Sequence, residues 1–463
     1  MKKLVVFFLA LILAGIAIAA WYLHPRFESD PPDVTITPAA DVVGMAPLEI
    51  TVSDKGTGLR SVTAVLSAGG VDHTIVSEQY RTPVPEKKIT LEAAKIAGIR
   101  EGPAVLRIVA RDQSLRNSLS GNEAVVEKRF TIDVTPPTIE LLADDRYINF
   151  GGAGALVYKA SADTVKSGVK IGERFFPGFR GVVKGNPDAS FVIFAHPYDA
   201  PPGTKAALVA TDKAGNTREM RLAYEVKNVK YRKSTIAISE AFLENKVRPL
   251  LTDVAKRQGS AKEVFVAVNK DVRKQNEDKI AEITSKATPR ILWKGAFRQL
   301  SNSKVEANFA DSRTYTYKGE TLDNAYHLGY DLSVTKNDPV EAANSGAVAF
   351  TGDLGLYGNA VIIDHGLGLF TLYGHLSAID VKVGDAIAAR QIIGKTGETG
   401  FAGGDHLHYG VYLDGVAVLP VEWWDPKWIR DNIEPKLEGR GGQEIAEAQQ
   451  SQQPRRASGK RRH

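Results

Sequence analysis

The chain has 463 residues, 43% hydrophobic and 24% charged, a globular composition with room for about three domains at roughly 100–200 residues each. It contains no cysteine, which excludes a disulfide scaffold, a cysteine-ligated zinc finger, a cysteine nucleophile and a lipid-modified N-terminal cysteine. The formal charge of +5 gathers at Lys2, Lys3 and the arginine-bearing last 25 residues, so the body is near neutral and does not read as a nucleic-acid binder, which needs a basic folded face.

In chain order, the first element is Leu4–Leu23, an uncharged and almost wholly apolar run. Its 20 residues suffice to cross a bilayer core at about 1.5 Å per residue. Lys2 and Lys3 precede it and only Arg26 closely follows, which places the N-terminus in the cytoplasm and the body outside. Trp21 and Tyr22 suit an interfacial anchor. The competing reading is a cleaved leader, since Ala17-Ile18-Ala19 fits an A-x-A processing site. Residues 1–29 are therefore taken as a transmembrane anchor or signal peptide.

Residues 30–134 and 135–232 read as two β-sandwich-like domains. Short alternating runs such as Leu48-Glu49-Ile50-Thr51-Val52 and Val105-Leu106-Arg107-Ile108-Val109 lie between Gly, Pro, Asp and Asn clusters. A repeat of about 100 residues joins them. Pro31-Pro32-Asp33-Val34 is echoed by Pro136-Pro137-Thr138-Ile139, and Ala110-Arg111-Asp112 by Ala210-Thr211-Asp212. The pair resembles tandem immunoglobulin-like sandwiches of bacterial surface proteins, which implies spacers without chemistry of their own.

Residues 233–290 form a helical connector. Leu243, Val247, Leu250, Leu251 and Val254 keep a helical stripe that Pro249 should kink or break. A second helix is expected to open at Asn269 and carry Val272, Ile280 and Ile283. These apolar stripes need cover, so the connector, or the β domain behind it, is expected either to lie across or beside the substrate groove and restrain it, or to act as a passive spacer. Residues 291–432 are again β-rich, and 433–463 read as a disordered basic tail. The fold class expected is mainly β: two sandwiches, a helical connector and a C-terminal antiparallel β domain.

Five of the nine histidines fall between positions 327 and 408. His327 and Asp331 frame His-Leu-Gly-Tyr-Asp, weak evidence alone; Gly329 and the Leu-Ser-Val-Thr that follows favour a strand over a helix. His406-Leu407-His408 opens a convincing strand and points two imidazoles one way, which a core tolerates poorly unless a metal or water satisfies their nitrogens. His375 ends an aromatic-rich strand in Tyr-Gly-His-Leu-Ser. Together the motifs can offer a borderline ion two nitrogen ligands and one oxygen, leaving a fourth position for water, the pattern of catalytic rather than structural zinc. Two further histidines remain for proton transfer or for a developing oxyanion.

His-x-Gly-x-Asp, then Tyr-Gly-Asn-x-Val-Ile-Ile-Asp-His-Gly-x-Gly, Tyr-Gly-His-Leu-Ser, Gly-Asp, Ile-Gly, Thr-Gly and His-Leu-His resemble, in order and spacing, the lysostaphin/LytM-type zinc metallopeptidases. The likeness runs from near Val305 to Trp424, under a third of the chain. It implies a small antiparallel β domain with a zinc cleft that acts on the peptide part of bacterial peptidoglycan. Carried over by position, it implies one Zn2+ held by His327, Asp331 and His408, with His375 and His406 beside the reacting water as acid/base groups. His365 matches the family's His-Gly turn and reads as structural. Asp405 stands where many members carry Pro, and its carboxylate either orients His406 or caps a turn. No His-Glu-x-x-His motif supplies a glutamate base, so histidine takes that role. The expected protein is a membrane-tethered endopeptidase with its body in the periplasm or outside the cell, acting on peptidoglycan peptide stems or cross-bridges. The alternatives are a silent regulator of cell-wall amidases, against which the presence of all five site positions argues, and an envelope scaffold or adhesin.

Overall fold

The computed structural model describes residues 2–440; the remainder of the expected tail, 441–463, lies outside the described residues. Lys2–Leu23 is one continuous helix, and the Val6–Phe27 segment is the one helix among the described residues long and apolar enough to cross a membrane. The body divides into two compact units. The first comprises residues 1–137 with the short stretches 163–165 and 211–218; the second takes the rest.

In the first unit a three-stranded sheet (Asp33–Thr37, Leu48–Ser53, Glu86–Leu91) faces a five-stranded one built on Leu59–Ala68, Val71–Val84, Gly102–Asp112 and Glu123–Ile132, with Val42–Val43 at its edge. Burial alternates along these strands, as the period of two demands: Leu48, Ile50 and Val52 point inward, as do Leu106, Ile108 and Ala110. The core they form is a cluster of its own.

The second sandwich is packed differently. Ala153–Ala160 and Ala189–Ala195 are central strands of a four-stranded sheet and are buried on both faces over most of their length. Their apolar runs, Ala-Gly-Ala-Leu-Val-Tyr and Ala-Ser-Phe-Val-Ile-Phe-Ala, are what a doubly covered strand requires. They share one hydrophobic core with the C-terminal β domain. Two polar clasps cross this junction. The Glu422 carboxylate accepts from Asn149 Nδ2 at 2.7 Å and from the Ala153 amide at 2.8 Å, and Lys436 Nζ meets Asp145 at 2.6 Å with both side chains buried. The second sandwich is thus part of the C-terminal body and not the free spacer expected of it.

That clasp also moves the expected end of the fold. Residues 433–440 were expected in the tail, yet helical turns run through Ile429–Ile433 and Glu434–Leu437, because Ile429, Ile433 and Lys436 bury against the body.

In the connector, Lys233–Ala237 adds a parallel strand to the Ser312–Tyr317/Glu320–Tyr326 hairpin. The first helical stretch breaks at Leu250, beside Pro249. The second begins at Ala261, not Asn269: Ser260 and Glu263 form a capping box that satisfies the free amides of the first turn, and helical turns continue to Thr284. Leu243, Val247, Leu251, Val264, Phe265 and Val268 pack on Tyr315 and Leu322 of the hairpin.

The C-terminal domain is an antiparallel sheet in the order Lys304–Ala307, Tyr330–Ser333, Leu407–Leu413, Leu369–Gly374, Asn359–Gly366, Gly346–Asp353 and Ala386–Ile387, with Val416–Val418 paired to Leu407–Leu413. A small three-stranded sheet stands beside it.

Candidate metal centre

Strand register assembles the centre. Asp331 pairs directly with His408, and His408 pairs with Gly374, the residue before His375. Three neighbouring strands thus deliver a carboxylate and two imidazoles to one end of the sheet. His327 precedes the Tyr330–Ser333 strand and is fixed by its own backbone, its amide donating to Asp311 O and its carbonyl accepting from Ala310 N. Gly329 is required between them: a Cβ there would stand 2.5 Å from Tyr409 O and 2.6 Å from His408 Nε2.

His327 Nδ1 lies 2.9 Å from the Asn308 carbonyl, which can only accept, so Nδ1 carries the proton and Nε2 turns inward. There it stands 2.9 Å from Asp331 Oδ1 and 3.1 Å from His408 Nδ1, and that nitrogen is 3.1 Å from the same carboxylate oxygen. His408 Nε2 is buried without a partner. Three acceptor-capable atoms converge with too few protons to share, which only cations or added protons relieve. A tetrahedral ion with bonds of about 2.0–2.2 Å separates its donors by roughly 3.3 Å, so the set fits zinc. Arg313 Nη2 takes the other Asp331 oxygen at 3.0 Å, in an ion pair with both side chains more than four-fifths buried. Burial alone would raise the Asp331 carboxyl, but the neighbouring His327, His406 and His408 hold it well below the usual range.

His375 and His406 flank this group, their ring centroids 4.8 Å apart. His375 has φ of 63°, a left-handed conformation that a branched-chain or bulky residue adopts only when its surroundings force it. Its amide donates to Tyr357 O and its Nδ1 to Thr399 O at 2.8 Å, leaving Nε2 as an acceptor. Burial, then the neighbouring His406 and His408, push its pKa well below the ordinary value. His406 donates from Nδ1 to Gly404 O, with Nε2 at 3.5 Å from Asp331 Oδ1; burial lowers its pKa, but the carboxylate outweighs this and the net shift is upward.

All five sequence-derived positions therefore meet in one cleft of about 330 Å³. His365 lies away from it, wholly buried, with Nδ1 bonded to Ser345 O and Nε2 to Thr371 Oγ1; burial pushes its pKa down to about 4. Asp405 accepts from the Asn337 amide at 3.2 Å and does not bond His406, so it fastens a turn. Sequence reasoning missed Arg313 and Asn308; it expected the connector across or beside the groove, and there Ile236, Ala237, Ile238, Ser239, Phe242 and Arg273 form one wall of the cleft. Phe242 meets Phe401 edge-on at 5.1 Å, and Lys246 Nζ donates to Glu398 O.

Residues 325–420 match the family described as Peptidase family M23. The chain is 42% identical over 95 residues to the DD-carboxypeptidase/endopeptidase Mpg of Neisseria meningitidis, covering 20% of this chain and 22% of that protein. It is 36% identical over 115 residues to the peptidoglycan DD-endopeptidase ShyA of Vibrio cholerae, covering 25% and 26% respectively. The chain thus spans only about a quarter of the length of these relatives. The crystallised catalytic domain of the antimicrobial peptidase lysostaphin from Staphylococcus simulans is 29% identical, with a TM-score of 0.23, over 27% of this chain and 92% of that domain.

Proposed function

Residues 325–420 form a peptidase family M23 domain, and on that premise we propose that the chain is a zinc-dependent endopeptidase hydrolysing peptide cross-links of bacterial peptidoglycan. The observation that carries this reading is the convergence of His327 Nε2, Asp331 Oδ1 and His408 Nδ1 beside two further histidines in an open cleft. Those three residues would hold the ion. When bound, zinc lowers the pKa of water from 15.7 towards about 7 and polarises the scissile carbonyl. The printed names of Mpg and ShyA support a peptidoglycan peptide as substrate.

The remaining residues divide the proton work. His375 donates from Nδ1 to Thr399 O, so its Nε2 presents a lone pair that can accept the proton of the attacking water. His406, whose ring lies 4.8 Å from that of His375, is the group left to stabilise the oxyanion that develops on the carbonyl. Arg313 keeps Asp331 from turning its oxygens away from the histidines. The apolar N-terminal helix, preceded by Lys2 and Lys3, supports a body in the periplasm or outside the cell.

Zinc content of the full chain in detergent, and mass spectrometry of muropeptides after incubation, test the reading together. H327A, D331A and H408A are expected to lose zinc; H375A and H406A are expected to keep it and lose turnover. Loss of zinc in H406A with retention in H408A reverses the assignment within that pair. A zinc-loaded wild type that cleaves no muropeptide sinks the enzyme and leaves the silent regulator. Fractionation with membranes after a salt wash, with Lys2 retained, tests the anchor; a mature N-terminus near Ala20 ends it.

A further inference from the structure

Among the described residues, the cleft wall contributed by the connector carries a charge that no ion pair closes. Arg273 lies half-buried in the groove, on the helix Arg273–Thr284. Its three hydrogen bonds all go to one neutral residue: Nε to Asn269 O and Oδ1 at 3.3 Å each, and Nη2 to Asn269 Oδ1 at 2.9 Å. Asn269 is itself buried and is turned towards the arginine because its Nδ2 is spent on Asp323 Oδ2 and Asn324 O. Among the described residues no carboxylate closes an ion pair on Arg273; Glu277, one turn later, feels its charge only at longer range. A guanidinium held by a neutral acceptor keeps its full charge and a planar edge of donors.

The rest of the groove sharpens the point. Its other arginine, Arg313, is already committed to Asp331, the one carboxylate that lines the cleft among the described residues, and Asp331 is shared with the histidines. Around them the wall is apolar, with Ile238, Phe242, Tyr315, Leu356 and Phe401. A lone, pre-oriented cation in an apolar wall beside a hydrolytic centre suits one chemistry, a carboxylate on the bound peptide.

We propose that Arg273 is a specificity residue that binds a free carboxylate on the peptide substrate close to the scissile bond. The inference rests on the peptidase reading above and names the substrate's chemical class: acidic peptides in preference to their amidated counterparts. It also gives the connector a role in substrate selection.

The test uses the full zinc-loaded chain in detergent and two synthetic peptides, identical except that the carboxylate beside the cleaved bond is free in one and amidated in the other. The bond itself is first located by muropeptide mass spectrometry. The wild type is expected to favour the free carboxylate by roughly ten-fold or more in kcat/KM, chiefly through KM. R273Q is expected to bring that ratio close to one, and R273K to retain part of it. A folded R273Q, with wild-type Tm, that keeps the wild-type ratio overturns the proposal, as does a wild type that does not distinguish the two peptides. Should the wild type cleave no muropeptide, the peptidase reading fails, and calorimetric binding of stem peptides with their carboxylates all free or all amidated still decides the subsite. Tighter binding of the free carboxylate, lost in R273Q, supports it, and equal affinities overturn it.

Discussion

The two N-terminal sandwiches share a sequence repeat and diverge in what their sheets face. In the first, strands such as Gly102–Asp112 and Glu123–Ile132 alternate buried and open positions, and the core closes on itself. In the second, Ala153–Ala160 and Ala189–Ala195 are covered on both sides and merge with the core of the M23 domain. The repeat motifs, Pro-Pro-Asp-Val against Pro-Pro-Thr-Ile and Ala-Arg-Asp against Ala-Thr-Asp, lie at strand ends and turns. They mark a shared strand plan and are silent about faces. Whether a sandwich is a spacer or a structural half of the C-terminal body is written in the residues between the motifs.

The largest way to break this comparison is by deletion. A chain without residues 31–134 is expected to fold and keep its zinc and turnover, since the lost core is separate. A chain without 138–232 uncovers Leu419, Trp423 and Ile433, takes from Glu422 its donors Asn149 and Ala153 and from Lys436 its ion-pair partner Asp145, and is expected to be insoluble or unfolded. A fragment starting near Thr288 is expected to fail similarly. It loses the Lys233–Ala237 strand and the helices that bury Tyr315 and Leu322, so faster turnover on release of a restraint is not the expected result. Soluble yield and circular dichroism check all three; equal behaviour of the two sandwich deletions would erase the distinction.

A single substitution sharpens it. Lys436 and Asp145 are buried at 1% and 9% side-chain exposure, so K436M strands a carboxylate in the interior, with an expected cost of about 3–5 kcal/mol. Arg111 and Glu123 form an equally short pair in the first sandwich, but both are open to water, and R111Q is expected to cost less than about 1 kcal/mol. Urea unfolding of the two variants measures the gap. The double change K436M with D145L is expected to recover much of the loss, because neither charge then remains buried.

What could be read in advance divides along the same physical line. Local features were legible: the apolar N-terminal helix, the alternating strands of the first sandwich and the break at Pro249; the His and Asp motifs were legible as positions, although His327 and His406 lie just before the strands expected to carry them. The Ser260–Glu263 capping box was also written in the sequence and moves the second connector helix eight residues earlier than its apolar stripe suggested. Features made by distant partners were not legible. Arg313 reaches Asp331 only because the hairpin folds over the cleft, and Asn308 acts through a backbone carbonyl that no side-chain pattern announces. Lys436 looked like one more cation leading into a basic tail, and only the position of Asp145, 291 residues away, makes it an interior residue.

The subtlest difference between the sandwiches is in their response to pH. Burial pushes the Glu422 carboxyl up to about 8, with nearby Asp145 adding to it, although bonds from Ala153 and Asn149 oppose the shift. In the folded chain Glu422 therefore keeps a proton that the unfolded chain releases from about pH 4.5 upward. Folding then binds a proton, and stability falls as pH rises from about 4.5 to about 8, levelling off above that. E422Q removes the titrating group while keeping an uncharged side chain of the same shape. Its carbonyl accepts from Ala153, and a flipped Asn149 amide accepts from its NH2. The variant is expected to be less pH-dependent through this window and more stable than the wild type at pH 8 by on the order of 2 kcal/mol, less than Lys436 is worth. Urea midpoints for wild type and E422Q between pH 5 and pH 8 measure it. A wild type as stable at pH 8 as at pH 5, or an E422Q chain with the same slope as the wild type, would show that the clasp holds Glu422 charged and that its two donors outweigh its burial.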